Sequence, residues 1–338
     1  AQKICRRREQ YFLYPFFSYA SFMTDFRENF EPEAFDAFSD QFGEEPRKHR
    51  TVLISAFEGW NDAGLAATQA LHFLLRAYSQ SAHEVDHICC GSFYDYTDNR
   101  PVIVSVEGKR KILWPETSFT QIDINPELSL IIQIAPEPNF KWTEYCQRTL
   151  RIADENEVDE VITVSAIYGD CTHRRPLPMV FHNAADNTAT PQSYNGPIGI
   201  PTVLSYEAVD SGFISHSMYV SVPSYAPYVD NQEKPNPLAM WNVIDALSDY
   251  LDVYLKDDGL PEQVKQWRKK ANALARTNPD IAEYMKTVES YRDNQERLDY
   301  ITSEAAENMI DDADKFLRDF GWDKTDDAHD MPGSPHLR

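Results

Sequence analysis

The chain is short of the signals that usually announce a reaction. Cysteine is scarce: there are five, two of them adjacent (Cys89 and Cys90), and none stands at a C-x-x-C or C-x-x-H spacing. That pattern excludes a disulfide framework and a cysteine-based zinc site, so a metal-free protein of a reducing cytoplasm is expected. Cys89 and Cys90 close an apolar segment and read as small core residues. Positive charge is scarce as well, with 32 Lys+Arg against 54 Asp+Glu and a formal net charge of -22. Such a chain repels phosphate backbones, and no basic stripe offsets the repulsion, so nucleic acid is not expected as a partner. The run Arg6, Arg7, Arg8 reads as a solvated tail. No stretch is apolar for the roughly 20 residues that a bilayer requires, so no membrane partner is expected either. There is no G-x-x-x-x-G-K phosphate loop and no G-x-S-x-G elbow, and no cofactor is expected.

What is present starts awkwardly. Arg6 to Arg8 followed by "YFLYPFFSYASF" imitates a signal peptide, yet the stretch is aromatic, carries Pro15 and ends without a small-x-small site. We read Met23 as the natural start and residues 1–22 as an upstream extension or artefact. Residues 1–50 form an N-terminal arm, whose part from Met23 is acidic and aromatic without sustained periodicity, suited to packing Phe side chains onto a neighbouring surface.

Regular structure starts at Thr51. "TVLISAF" (51–57) is a continuous apolar, β-branched run, as in a strand buried on both faces. From Asp62 to Ser79, Ala63, Ala66, Ala67, Ala70, Leu71 and Leu74 recur at helical spacing. Further strands are expected at 87–93 ("HICCGSF"), 129–135, 160–167 and 200–206 ("IPTVLSY"), with "SMYVSV" a less regular one. A helix is expected at 140–157 and a hairpin turning at Gly108. Strands alternating with helices imply βαβ units around a mainly parallel or mixed sheet. The α/β domain spans 51–256. Gly259 and Pro261 then mark the start of an all-helical extension (257–322), with stripes at Val264, Trp267, Ala271 and Leu274, at Ile281, Tyr284, Met285 and Val288, and at Met309, Ala313, Phe316 and Phe320. These stripes suit packing on one another, on the main domain or on another subunit. Residues 323–338 read as a disordered tail.

Ligand sites in open α/β sheets lie beyond the C-terminal ends of the strands, and three polar loops take such positions. In Glu58 to Gly64, Asn61 or Asp62 can cap the following helix, while Glu58 and Asp62 oppose an anion at its N-terminus. In "GDCTHRRPLP" (169–178), Arg174 and Arg175 suit bidentate pairing with Glu58, Asp62 or an acid of a neighbouring subunit. A catalytic alternative makes His173 a general base beside Asp170 with a serine or Cys171 as nucleophile. In "SVPSYAPY" (221–228), Tyr225 and Tyr228 can line a pocket or a subunit contact. Trp60 is expected to plug or wall the crevice between these loops.

Together "FEGWNDAG" (57–64), "PEPNFKW" (136–142), "GDCTHRRPLPM" (169–179) and "SVPSYAPY" (221–228) resemble the proteasome assembly chaperone 2 family, in its long bacterial branch with a C-terminal helical extension. The resemblance covers about residues 50–256. It implies a three-layer α/β/α, phosphorylase/hydrolase-like domain and homo-oligomers, with a trimer first. Chaperones of this group that dock on the proteasome end in a hydrophobic-Tyr-any tail; this chain ends Pro335, His336, Leu337, Arg338, so docking by that route is not expected. The reading is a non-enzymatic cytoplasmic protein that binds itself and another protein, with Glu58, Trp60, Asn61, Asp62, His173, Arg174, Arg175 and Tyr225 at the interface. A small-molecule hydrolase or transferase using Asp62, His173 and Arg174 is the alternative, and a scaffold whose loops serve only oligomerisation is a third.

Overall fold

The computed structural model describes residues 49–294 apart from 90, 107, 186–195 and 231–233. The aromatic arm before residue 49, the stripe from Met309 to Phe320 and the acidic tail lie outside those residues. In chain order the elements are β1 (Arg50–Glu58), α1 (Ala66–Ala77), β2 (His83–Ile88), β3 (Val102–Val106), β4 (Lys109–Leu113), β5 (Thr117–Asn125), β6 (Leu128–Pro136) and α2 (Trp142–Glu155). They continue with β7 (Glu160–Gly169), β8 (Met179–Asn183), α3 (Ile200–Asp210), β9 (Ile214–Pro223), α4 (Ala226–Val229), α5 (Pro237–Leu251) and α6 (Leu260–Thr277). Residues 279–294 form a further helix, α7.

Seven strands form one mixed sheet in the order β2-β5-β6-β1-β7-β9-β8. The central four, β6, β1, β7 and β9, run parallel, whereas β5 and β8 run against their neighbours β6 and β9. The continuous apolar run of β1 has the cause the sequence suggested: residues 51–57 are buried, and the pleat sends alternate side chains to opposite faces. Val52, Ile54 and Ala56 pack into one core layer with α1, α5 and α6, while Leu53 and Phe57 pack into the other with α2 and α3. The result is a three-layer α/β/α architecture. The small residues of α1, Ala66, Ala67 and Ala70, let that helix approach the sheet closely.

Two strand expectations are corrected. Residues 200–206 belong to helix α3: Gly199 takes the N-cap position, Pro201 sits in the first turn where its missing N–H costs nothing, and Ile200, Leu204 and Ala208 recur every four residues on the buried side. A short apolar run does not by itself distinguish strand from buried helix. The strand expected at 87–93 is β2, which starts earlier and stops at Ile88. The hairpin at Gly108 is as expected: β3 and β4 pair antiparallel, and Gly108 sits at φ 75, a conformation that favours glycine.

The C-terminal helices pack on the main domain. Val264, Trp267, Ala271 and Met285 share the core layer of α1 and α5. The chain lays β6 on one side of β1 and then β7 on the other, so strand order reverses at the C-terminal end of β1.

Candidate functional site

Because β6, β1, β7 and β9 are parallel neighbours, the loops after them emerge along one rim of the sheet. Backbone hydrogen bonds sew these loops together: Ala166 N–H donates to the Asn61 carbonyl (2.7 Å), and Asn236 N–H to the Gly64 carbonyl (2.8 Å). Gly64, at φ 60, has the Asn236 side chain so close that an added Cβ would lie 3.1 Å from it. Asn61, His173 and Tyr225 therefore share one rim.

Their side chains are committed to structure. Asp62 is buried and turned inward, where Oδ1 accepts from the backbone N–H groups of Ala67 (2.8 Å) and Thr68 (3.2 Å) and Oδ2 from the Thr68 hydroxyl. It is the cap the sequence suggested, over the first turn of α1. Burial pushes its pKa up to about 6, and Glu58 adds to the rise, against the opposing pull of the donors on Thr68 and Ala67. Asn61 does not cap; its amide donates to Glu137 (3.4 Å) and packs against Gly199, where a Cβ would meet it at 1.8 Å. Glu137 also accepts from the Ile200 N–H (3.0 Å) at the start of α3. Glu137 thus fills the position where strand order reverses, a role the sequence reading missed although "PEPNFKW" contains it.

His173 is buried, and burial lowers its pKa, so its ring is neutral at pH 7. The Tyr225 hydroxyl accepts from the His173 N–H (2.8 Å) and lies 2.7 Å from Nδ1, to which it can donate. Nε2 then carries the ring proton; it lies on the side of Asn272 without meeting hydrogen-bond geometry. Trp267 of α6 stands edge-on to the ring. The expected pairing of His173 with Asp170 is corrected: Asp170 accepts from Tyr284 (2.7 Å). Cys171 is buried and its thiol is pushed up to about 12 by that burial, so the nucleophile alternative has no thiolate.

The arginines are corrected too. Neither reaches Glu58 or Asp62. Arg175 forks onto Asp293 (2.9 and 3.2 Å), and Arg174 faces Asn272 (3.3 Å) and Glu289 (4.0 Å). Thr172 donates to Glu289 (2.9 Å) and Arg292 to the Pro176 carbonyl (3.1 Å). The "GDCTHRRPLP" loop is therefore clamped by α6 and α7 of the same chain. Sequence reasoning missed this partner because Asn272, Glu289 and Asp293 lie about 100 residues away on helix faces that look merely solvated. No hydrogen bond or ion pair among the described residues joins Asp62 to His173 or Arg174.

Trp60 does not plug the crevice; it is 63% exposed. Tyr225 is internal, whereas Tyr228 of the same loop is 75% exposed. Phe140, Ile167 and Tyr168 are also exposed beside them, and Glu58 is exposed at the end of β1. The hollow bounded by Gly64, Tyr168, Ala226 and Trp267 measures only about 10 Å³, about the room a single water needs. A larger groove of about 570 Å³ lies on α5 and the turn after it, and one of about 430 Å³ lies along α6, where its lining residue Asn272 meets Arg174.

The string His83-Glu84-Val85-Asp86-His87 spells the H-E-x-x-H zinc signature. That signature works on a helix, where residues four apart meet; here it lies on β2, which separates the two histidines by roughly 13 Å. No group of three His, Cys, Asp or Glu among the described residues can hold a metal, and no described helix is long and apolar enough to cross a membrane.

With this geometry in hand, the chain can be set beside known proteins. It is similar to a PAC2 family protein from Streptomyces avermitilis (31% identity, TM-score 0.63, 69% of this chain and 99% of that one). It is also similar to a proteasome-assembly chaperone homologue from Mycobacterium tuberculosis (30%, TM-score 0.61, 69% and 99%). A protein of unknown function from Corynebacterium glutamicum shares the fold at 18% identity (TM-score 0.64, 75% and 93%). No curated protein matches. The PAC2 family model matches residues 56–275, from the end of β1 through nearly all of α6, and this chain belongs to the PAC2 family.

Proposed function

We propose that this chain is a non-enzymatic, assembly-chaperone-like factor of the cytoplasm that grips another protein with its strand-end rim and works as a homo-oligomer, a trimer first. One observation carries the reading: along the rim Asn61, Asp62 and His173 are buried and turned inward, while Trp60, Phe140, Ile167, Tyr168 and Tyr228 are exposed. A catalytic pocket needs the reverse, with convergent polar groups lining an open cavity. Exposed aromatic and apolar side chains with a polar margin are what protein interfaces use. The description of the Mycobacterium relative as a proteasome-assembly chaperone homologue supports the same reading. A net charge of -22 favours a neutral or basic partner surface.

The test is purification of the tagged full chain from its own cytoplasm, beside a Trp60→Ser/Tyr228→Ser variant of unchanged circular dichroism. A stoichiometric partner retained by the wild type and lost by the variant supports the proposal. A partner held equally by both, or turnover of a small molecule that His173→Ala abolishes without unfolding, overturns it.

A further inference from the structure

The hairpin of β3 and β4 takes no part in the rim contacts above. It forms a sheet of its own, and side chains on both of its faces meet solvent: Val102, Val106 and Leu113 on one, Ile103 and Ile112 on the other. A lone two-stranded ribbon is marginal in water, and clustered exposed apolar side chains mark a surface that something covers. The described ring contact that anchors it is at its base, Trp114 against Tyr96 (4.9 Å). Its charge runs against that of the chain. Residues 100–113 hold four basic residues, Arg100, Lys109, Arg110 and Lys111, and one acid, Glu107, in a protein of net charge -22. None of the four cations has an ion-pair partner among the described residues.

The complement lies on α5 and the turn after it. A groove of about 570 Å³ runs between Trp241 and Tyr254, with Asp245, Asp249, Asp252 and Asp257 along it. No Lys or Arg among the described residues pairs with those four carboxylates. The Asp245 carboxyl is held above its ordinary range by partial burial and by Asp249 and Asp257, and Asp257 itself accepts from the Trp241 indole N–H (3.2 Å) and the Tyr254 hydroxyl (2.7 Å).

The hairpin leaves from the rim, whereas the groove runs along α5 from Trp241 to the turn after the helix. The hairpin leaves the rim where β6 ends, since the Tyr94 hydroxyl donates to the Pro136 carbonyl (3.2 Å) and Ser118 pairs with Ile134. Helix α5 starts at the same rim, beside Gly64, and runs away from it for roughly 22 Å. There Tyr250 bonds Glu160 at the first residue of β7. No hydrogen bond or ion pair among the described residues joins the hairpin to its own chain's groove.

We propose that the β3–β4 hairpin is an arm that docks into the Asp245–Asp257 groove of a second copy of the chain, its cations on the carboxylates and its apolar side chains on Trp241 and Tyr254. Because the two surfaces differ, the contact is head-to-tail, which generates a ring when the rotation between copies closes. The assignment rests on the reading above that the chain self-associates.

Sedimentation velocity of the full chain tests it. The forms compared are the wild type, Lys109→Glu/Arg110→Glu/Lys111→Glu, Asp245→Lys/Asp249→Lys, and the chain carrying both reversals. All substituted residues are solvent-exposed, and circular dichroism checks each fold. The wild type is expected to associate and to weaken with added salt. Each reversal alone should raise the dissociation constant about tenfold or more, and the double reversal should recover most of the loss. A monomeric wild type overturns both the oligomer and the arm. An oligomer indifferent to the hairpin reversal overturns the arm and leaves self-association standing. Loss in both single reversals without recovery in the double overturns the groove as receptor. Binding of the wild type to anionic vesicles in place of itself, abolished by the hairpin reversal, also overturns the proposal.

Discussion

Replacing Asp62 by Asn tests the balance of forces at the start of α1. Two effects oppose each other there: three donors favour the carboxylate, and burial penalises it. The net outcome is a pKa of about 6 against an ordinary value of 3.8. Since one pKa unit corresponds to about 1.4 kcal/mol, the rise represents about 3 kcal/mol. The sign follows from proton binding. Between pH 3.8 and 6 the folded chain holds this proton more tightly than the unfolded chain, so stability from this group is present at low pH and is lost as pH rises through 6. Asparagine keeps the carbonyl that accepts from Ala67 and Thr68 and never ionises. The wild type and Asp62→Asn should therefore unfold in urea with nearly equal free energies at pH 3.8, and at pH 7 the variant should be more stable by up to about 3 kcal/mol. Both conditions avoid the isoelectric point near 4.7, where solubility is poorest. A difference that stays flat with pH, or a wild type that gains on the variant as pH rises, would show that the donors outweigh burial and refute the reasoning.

Three further outcomes follow from the same contacts. Tyr225→Phe removes the hydroxyl shared by the His173 N–H and Nδ1, leaving a buried donor unmet; denaturant unfolding should show a loss of about 1–3 kcal/mol. Trp267→Ala opens a cavity under the clamped loop and should lower stability by about 3–5 kcal/mol, with the transition midpoint as readout. Among the described cysteines, Cys89 is exposed rather than the core residue expected, so an aromatic disulfide reagent should modify it in the native chain and reach Cys146 and Cys171, both pushed up to about 12, only after unfolding.

Much of the fold was legible because its signals are local. A seven-residue apolar, β-branched run bounded by polar residues and glycine suits a strand buried on both faces, and α1 and α2 declared their faces through three- and four-residue spacing. The error at 200–206 arose where that local signal is ambiguous, since seven mostly apolar residues fit a strand or a buried helix and only the position of Pro201 discriminates. At the site, the loops and their shared rim could be read from the order of motifs, and so could capping by Asp62. The direction of each side chain could not. Trp60 was expected to plug or wall the crevice, yet it is Asn61 that turns inward, onto Glu137, while the indole stays largely exposed. The partners of Arg174 and Arg175 depend on where α6 and α7 fold back, which no spacing near residue 174 encodes.

The claim on which the functional reading depends is that the rim is a contact surface. Hydroxyl-radical footprinting of the full chain, alone and in complex with its stoichiometric partner, measures this residue by residue. The account predicts that Trp60, Phe140 and Tyr228 lose labelling in the complex while Tyr291, exposed on α7, keeps it. Unchanged labelling of the three rim aromatics in the complex would contradict it.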